Sequence, residues 1–143
     1  MDLRWIVDGY AVAPQLTPSD MSTLAAQGVK TVICNRPDSE VPPDLQAAEV
    51  QKAAELAGLV YIYNPVVGFG MSPDAIDEQA DAIDSSDGPV VAYCASGMRS
   101  ALMWALAKAG TAPAEEILAK VAAAGYRMDH LVGQIEGVGQ TRR

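Results

Sequence analysis

A cysteine and an arginine with the spacing of an anion-binding loop lie in PVVAYCASGMRSALMWALAKAG, residues 89–110. An apolar run ends at Cys94, four residues follow, and a helical pattern begins near Arg99. Small residues after the cysteine let the backbone curl so that successive N–H groups converge on an anion. The helix N-terminus and the guanidinium add positive charge there. A thiol in that field is expected to ionise near neutral pH, which makes Cys94 a predicted nucleophile.

The alternative is that Cys94 is an inert buried side chain and that the segment after it is a simple turn. A strand end, a glycine-containing loop and an arginine coincide here, and this coincidence favours the nucleophile. The predicted substrate-binding backbone of the loop consists of Ala95, Ser96, Gly97 and Met98.

Apolar runs at residues 29–34, 59–67 and 88–94 are nearly continuous, which is typical of strands covered on both faces. A shorter run at 10–13 is a fourth strand candidate. Helical segments bounded by Ser, Thr, Pro and Gly separate these runs. The alternation predicts one α/β domain over residues 1–143, with a central, mainly parallel sheet of four to five strands and helices on both faces.

The loops that follow parallel strands meet at the carboxyl edge of the sheet. There we expect Arg36 to be a second contact for an anion, or else to pair with Asp38 or Glu40. Phe69, between two glycines, is predicted to form a wall of the pocket. Cys34 is predicted either to resolve the oxidised or persulfidated nucleophile or to be a buried strand cysteine.

Composition restricts the partners. The formal net charge of −8 argues against nucleic acid and anionic membranes as partners, because basic surfaces drive those associations. No apolar run approaches the ~18 residues that cross a bilayer, and the N-terminal residues do not resemble a signal peptide. We therefore expect a cytoplasmic protein. One histidine and two separated cysteines form no metal set, and we predict neither a metal nor a cofactor.

The segment YCASGMRS resembles the active-site loop of the phosphatase-like domain family of beta-lactamase-hydrolase-like proteins. PQLTPSDMSTLAAQGVKTVICNRPDSE, NPVVGFGMSPDAI and GPVVAYCASGMRSALMWALA are similar to other parts of that family, so the resemblance covers nearly the whole chain. It implies a dual-specificity-phosphatase-like fold, in proteins that are also described as sulfur transferases.

The resemblance further implies that Cys94 is the nucleophile, Arg99 the anion-binding arginine and Ser100 a hydroxyl that could donate to the thiolate. Two residues depart from related patterns. Family members often have an arginine at the position of Ala95, and tyrosine phosphatases usually have a histidine at that of Tyr93.

Loop length and the general acid bear on the substrate. Cysteine phosphatases use Cys-x5-Arg, whereas the spacing from Cys94 to Arg99 is Cys-x4-Arg and resembles the tighter rhodanese loop. Residues 65–70 contain no acid to protonate a leaving oxygen, and Asp74 is more simply a first-turn helix residue. The sequence thus predicts a rhodanese-like sulfurtransferase that moves sulfane sulfur from thiosulfate or a persulfide to a thiol or cyanide through a Cys94 persulfide.

Two alternatives stay open. The first is a cysteine-dependent phosphatase of the tyrosine or dual-specificity type that acts through a phosphocysteine. The second is a non-catalytic module that binds a persulfide or an anion. The expected partners are a small anionic sulfur or phosphate substrate and a thiol-bearing sulfur acceptor.

Overall fold

The computed structural model describes residues 1–68 and 72–141. Within these residues five strands form one sheet in the order β1-β2-β5-β3-β4. The strands are β1 (Arg4–Val7), β2 (Tyr10–Ala13), β3 (Thr31–Cys34), β4 (Val60–Tyr63) and β5 (Val90–Tyr93). β1 runs antiparallel to β2, and the other neighbouring strands are parallel. The predicted mainly parallel α/β sheet is confirmed.

Helices connect and follow the strands. Those of the described residues are α1 (Asp20–Ala26), α2 (Ala47–Leu56), α3 (Pro73–Ser85), α4 (Met98–Lys108), α5 (Ala114–Ala123) and α6 (Val132–Thr141). None of them is long and apolar enough to cross a membrane.

The three central strands, β2, β5 and β3, are buried along their whole length. Their continuous apolar sequences reflect this burial, because no face of these strands meets water. β1 lies at one edge, where Trp5 is 46% exposed, and sequence analysis did not identify it as a strand. An edge strand with one solvent-facing side gives a weaker apolar pattern than a central one.

Helices cover both faces of the sheet, as predicted. On one face, the α2 face, α1 and α2 pack on alternate strand residues that include Ala11, Val32, Cys34 and Tyr93. On the other, the α4 face, α3, α4, α5 and α6 pack on residues that include Val12, Ile33 and Ala92. Residues 100–107 of α4 are all buried, since this helix is enclosed by the sheet and by its neighbouring helices.

Candidate active site

Cys94 directly follows the carboxyl end of β5 and precedes the start of α4. Its backbone N–H donates to the carbonyl of Ala13 at 3.3 Å, which extends the β2–β5 ladder by one residue and fixes the main chain. The backbone N–H of Gly97 donates to Cys94 Sγ at 3.1 Å. Gly97 is the N-cap of α4, so the sulfur also faces the positive end of the helix dipole. The predicted nucleophile therefore accepts a hydrogen bond from one main-chain amide of the loop.

The short loop depends on a glycine at position 97. Its φ of +95° lies in the left-handed region, where a side chain is strained. A Cβ atom at Gly97 would also collide with the Tyr126 hydroxyl. Ala95, Ser96 and Met98 are exposed, and Ser96 Oγ accepts the backbone N–H of Met98 at 3.3 Å. Cys94 itself is thus fully buried, whereas the outer side of the loop is open to solvent.

Arg99 is held by an acidic residue and by a main-chain oxygen. Its Nη1 donates to Glu40 Oε2 at 2.9 Å and to the Val66 carbonyl at 2.9 Å, and its Nη2 donates to Glu40 Oε1 at 2.7 Å. The same guanidinium lies close enough to Cys94 for the charges of the two side chains to interact. The hydrogen bonds to Glu40 raise the pKa of Arg99 further above its usual range. The guanidinium is therefore permanently charged and fixed in orientation.

Glu40 bridges two arginines. Besides its pair with Arg99, Oε1 accepts from Arg36 Nε at 3.3 Å, and the Glu40 carbonyl accepts from Arg36 Nη2 at 3.2 Å. Arg36 Nη1 also donates to Gln15 Oε1 at 3.2 Å. These partners, with Arg99 foremost, lower the pKa of the Glu40 carboxyl. Of the two interpretations of Arg36, the structure displays the ion pair, and a contact with an anionic substrate stays a prediction.

The Ser100 hydroxyl does not have the partner that we expected. It is fully buried and donates to Asn35 Oδ1 at 2.9 Å rather than to Cys94. Asn35 Oδ1 also accepts from Gln79 Nε2 at 3.2 Å, and Gln79 Oε1 accepts from the side-chain amides of Asn35 and Asn64 at 2.9 Å each. This buried network ties α4 and α3 to the loops after β3 and β4. Ser100 is thus corrected from a donor to the thiolate to a residue that anchors the site.

The structure does not bring Cys34 to Cys94. Cys34 packs on the α2 face with Tyr93. Cys94 follows Tyr93 in the chain, and because successive side chains of a strand alternate between faces, Cys94 points to the opposite face. Cys34 Sγ donates to the Arg36 carbonyl at 3.3 Å and lies beside the hydroxyls of Tyr61 and Tyr93, which are 2.6 Å apart. Burial raises the pKa of the Cys34 thiol. This placement favours the buried strand cysteine over the resolving thiol.

The loop after β4 is only partly described. Phe69, the predicted pocket wall, lies outside the described residues. Residues 64–68 contain no acid, and Asp74 is in the first turn of α3, as its simpler interpretation held. Across residues 1–68 and 72–141, no group of three or more His, Cys, Asp or Glu side chains could hold a metal ion.

Sequence reasoning missed two contributors to the site, Gln79 and Tyr126, and it named Glu40 only as a partner of Arg36. Glu40 follows β3 and so belongs to the carboxyl edge, which could have suggested it as a partner of Arg99 as well. Gln79 lies in α3, whose acidic residues predict a solvated face, and nothing in the sequence indicates that this glutamine is buried. Tyr126 reaches the loop from beyond α5, and its hydroxyl donates to the Ser96 carbonyl at 3.3 Å.

Residues 2–111 match the family model described as "Beta-lactamase hydrolase-like protein, phosphatase-like domain". The chain belongs to this family. This phosphatase-like domain is 30% identical over 133 residues to a beta-lactamase hydrolase-like protein of Xylella fastidiosa strain 9a5c, an alignment that covers 92% of the domain and 31% of the relative. A relative of the same name from Agrobacterium fabrum is 33% identical over 104 residues, with 73% and 24% covered. The domain spans about a third or less of these curated relatives.

Solved structures extend the comparison to fold. A candidate phosphatase of Neisseria meningitidis Z2491 aligns with a TM-score of 0.82 at 28% identity, covering 96% of the domain and 99% of that chain. PTPMT1 aligns at 0.74 with 16% identity, covering 98% and 95%, and the kinase-associated phosphatase at 0.72 with 10%, covering 99% and 95%. The last two share the fold alone. The dual-specificity-phosphatase-like fold is confirmed, and the comparisons favour the phosphatase alternative over sulfur transfer.

Proposed function

We propose that this phosphatase-like domain is an enzyme in which Cys94 attacks a small anionic substrate and carries the transferred group on its sulfur. The observation that carries the proposal is the environment of Cys94: the Gly97 N–H donates to Sγ, and the fixed, charged guanidinium of Arg99 lies near it. Amides and a guanidinium stabilise both a thiolate and the negative charge that develops during transfer.

The first candidate for the transferred group is a phosphoryl group, which the phosphatase-like family and its structural neighbours favour. The Cys94 thiolate attacks phosphorus, the P–O bond breaks, and the alkoxide or phenolate leaves with the electron pair. Water then breaks the S–P bond and releases phosphate. Because residues 64–68 provide no acid to protonate the leaving oxygen, we expect aryl phosphates to react and alkyl phosphates to react poorly.

The second candidate is sulfane sulfur, which two features of the site favour. Four residues separate Cys94 from Arg99, so the ring is tight enough to suit a single atom bound to the sulfur. Glu40 compensates the charge of Arg99, which weakens attraction for a phosphate dianion.

The sulfur reaction has two balanced steps. The Cys94 thiolate attacks the outer sulfur of thiosulfate, the S–S bond breaks, and sulfite leaves with the electron pair. A thiolate or cyanide then attacks the outer sulfur of the Cys94 persulfide and regenerates the thiolate. This route needs no acid for its leaving group, and it gives the thiol-bearing acceptor its role.

Parallel assays on the same preparations distinguish the candidates. Wild type, Cys94→Ser and, as the matched control, Cys34→Ser are tested for aryl phosphate hydrolysis and for thiocyanate formation from thiosulfate and cyanide. Intact mass is recorded after exposure to each substrate. Phosphate release that is lost only in Cys94→Ser supports the first candidate, and thiocyanate release with the same dependence supports the second.

Mass spectrometry decides between an enzyme and a binding module. One added sulfur atom that stays on Cys94 without turnover would replace the enzyme by the persulfide-binding module of the sequence analysis. The proposal would be overturned if wild type showed no turnover of either substrate and formed no covalent adduct at Cys94.

A further inference from the structure

Tyr126 contacts the Cys94 loop from a part of the chain that the family model does not cover. The residue follows α5, whereas the model matches residues 2–111. Its side chain is buried, and its hydroxyl donates to the Ser96 carbonyl at 3.3 Å. The same hydroxyl lies against Gly97, where it would collide with any Cβ atom. Tyr126 therefore closes the loop on the side away from the sulfur.

The peptide that joins Ser96 to Gly97 links this tyrosine to the nucleophile. Its N–H, from Gly97, donates to Cys94 Sγ at 3.1 Å, and its C=O, from Ser96, accepts from Tyr126. In a planar trans peptide the N–H and C=O point in opposite directions, so the two hydrogen bonds share one rigid plane. Rotation of that plane would withdraw the amide and direct a carbonyl oxygen at the thiolate, which electrostatics disfavours.

This peptide needs an external partner because glycine constrains it little. Glycine adopts positive and negative φ with similar ease, so the φ of +95° at Gly97 is not enforced locally. Tyr126 is itself held in place, since the Arg4 guanidinium carbon lies 5.6 Å from its ring centroid and Arg4 Nη1 donates to the Ala124 carbonyl at 3.4 Å. Burial raises the pKa of Tyr126, so its hydroxyl remains a donor across the neutral range.

We infer that Tyr126 is a positioning residue that holds the peptide between Ser96 and Gly97 with its N–H directed at the Cys94 sulfur. The inference rests on the proposed function, in which Cys94 is the nucleophile, and it applies to phosphoryl and sulfur transfer alike. Tyr126 acts through the peptide and touches no reacting atom, so its effect is on the readiness of the sulfur to ionise and react.

Tyr126→Phe tests the inference because it removes the hydroxyl and keeps the ring. Cys94 is labelled with iodoacetamide at a series of pH values, and the labelled peptide is quantified by mass spectrometry. Among the described residues, the titratable side chains that interact with the charge of Cys94 are Arg99, Tyr10 and Tyr126 itself. We expect the labelling midpoint to rise by roughly half to one pH unit. Turnover of whichever substrate proves active should fall roughly tenfold, less than when a direct donor is removed.

Tyr61→Phe is the matched control, since it breaks a buried hydroxyl contact of 2.6 Å on the α2 face. The labelling midpoint of Cys94 should not move in this variant. Arg4→Met, which frees the Tyr126 ring, should raise the midpoint by a smaller amount and serves as a second test should Tyr126→Phe fold poorly.

An unchanged midpoint in Tyr126→Phe and Arg4→Met, or an equal shift in Tyr61→Phe, would overturn the inference, because the hydroxyl would then have no specific effect on the sulfur. Failure of the proposed function has a different signature. In that case wild type turns over neither substrate and forms no adduct, while the shift in Tyr126→Phe still supports the alignment of the peptide.

Discussion

Cys34 and Cys94 end, or directly follow, neighbouring parallel strands, yet their surroundings are opposite in chemical character. The sulfur of Cys94 accepts an amide N–H and lies near a guanidinium, and both of these groups favour a thiolate. Both thiols are buried, but the sulfur of Cys34 donates to a carbonyl and lies beside the hydroxyls of Tyr61 and Tyr93. The first environment favours a nucleophile, and the second favours a neutral thiol.

The difference shows that the face of the sheet and the segment after the strand decide what a strand-end cysteine can do. β5 leads through a left-handed glycine directly into α4, and the N–H of this glycine, Gly97, is directed at the sulfur. β3 leads into a short 3-10 turn, Asp38–Glu40, which places the Glu40 carboxylate on the Arg99 side chain. Cys34, before this turn, is buried.

Serine substitution at the two positions should produce the largest contrast. Cys94→Ser removes the nucleophile, so we expect turnover to fall by at least about a thousandfold. Cys34→Ser changes a pocket on the other face, and its turnover should stay within about twofold of wild type. Steady-state rates on the active substrate measure both. A comparable loss in the two variants would mean that the cysteines work together after all.

Replacement of the two arginines of the edge should produce the next effect. Arg99→Lys keeps the charge but loses the fork that binds Glu40 and Val66, and kcat/KM should fall about a hundredfold. Arg36→Lys disturbs Glu40 and Gln15 only, and a loss of about threefold is expected. Equal losses would indicate that both guanidinium groups bind the substrate.

Alkylation should separate the two thiols without any substrate. Burial raises the pKa of Cys34, so this thiol should stay protonated and unreactive at neutral pH. At about pH 7 we expect iodoacetamide to label Cys94 at least about tenfold faster than Cys34, measured by peptide mass spectrometry. Labelling of Cys94 that begins only above about pH 8, together with Cys34, would remove the electrostatic distinction.

The smallest effect should be the change in stability when Glu40, the carboxylate that pairs with Arg99 of the Cys94 site, is replaced. Arg99 lowers the pKa of Glu40, so the pair stabilises the fold at neutral pH and loses this contribution as the pH falls through the lowered pKa. Glu40→Gln should therefore unfold at slightly lower urea than wild type at pH 7, by less than about 1 kcal/mol because the pair is partly exposed.

The same comparison at acid pH tests the cause of this difference. The urea midpoints of wild type and Glu40→Gln should converge as Glu40 takes up its proton in wild type. A difference that persists unchanged in acid would show that the charge of Glu40 is not its source.

The Cys94 loop and the order of elements could be predicted because their signals are local. The cysteine, the glycine and the arginine are contiguous in sequence, and the strand before them is apolar throughout. Alternating strands and helices with short connections leave few arrangements for the sheet. The carboxyl edge, and with it the neighbourhood of Cys94, Arg36 and Arg99, follows from this topology.

The partners of these side chains depend on long-range packing and could not be predicted. The Ser100 hydroxyl was expected on the adjacent thiolate, but its acceptor, Asn35, comes from 65 residues away. Glu40 is 59 residues from Arg99, and Tyr126 is 30 residues from Ser96. A residue type and its spacing indicate what a side chain can bind, whereas the packed fold selects which neighbour it binds.

The position of Tyr126 in the chain has a practical consequence for anyone who trims or transplants this domain. A fragment cut at residue 111 would retain the entire recognisable signature, including the nucleophile and its arginine. It would nevertheless lose the hydrogen bond from Tyr126 to the Ser96 carbonyl and the packing of α5 and α6 against α4. The smallest transferable unit is therefore longer than the motif that identifies it, and its downstream limit lies past Tyr126.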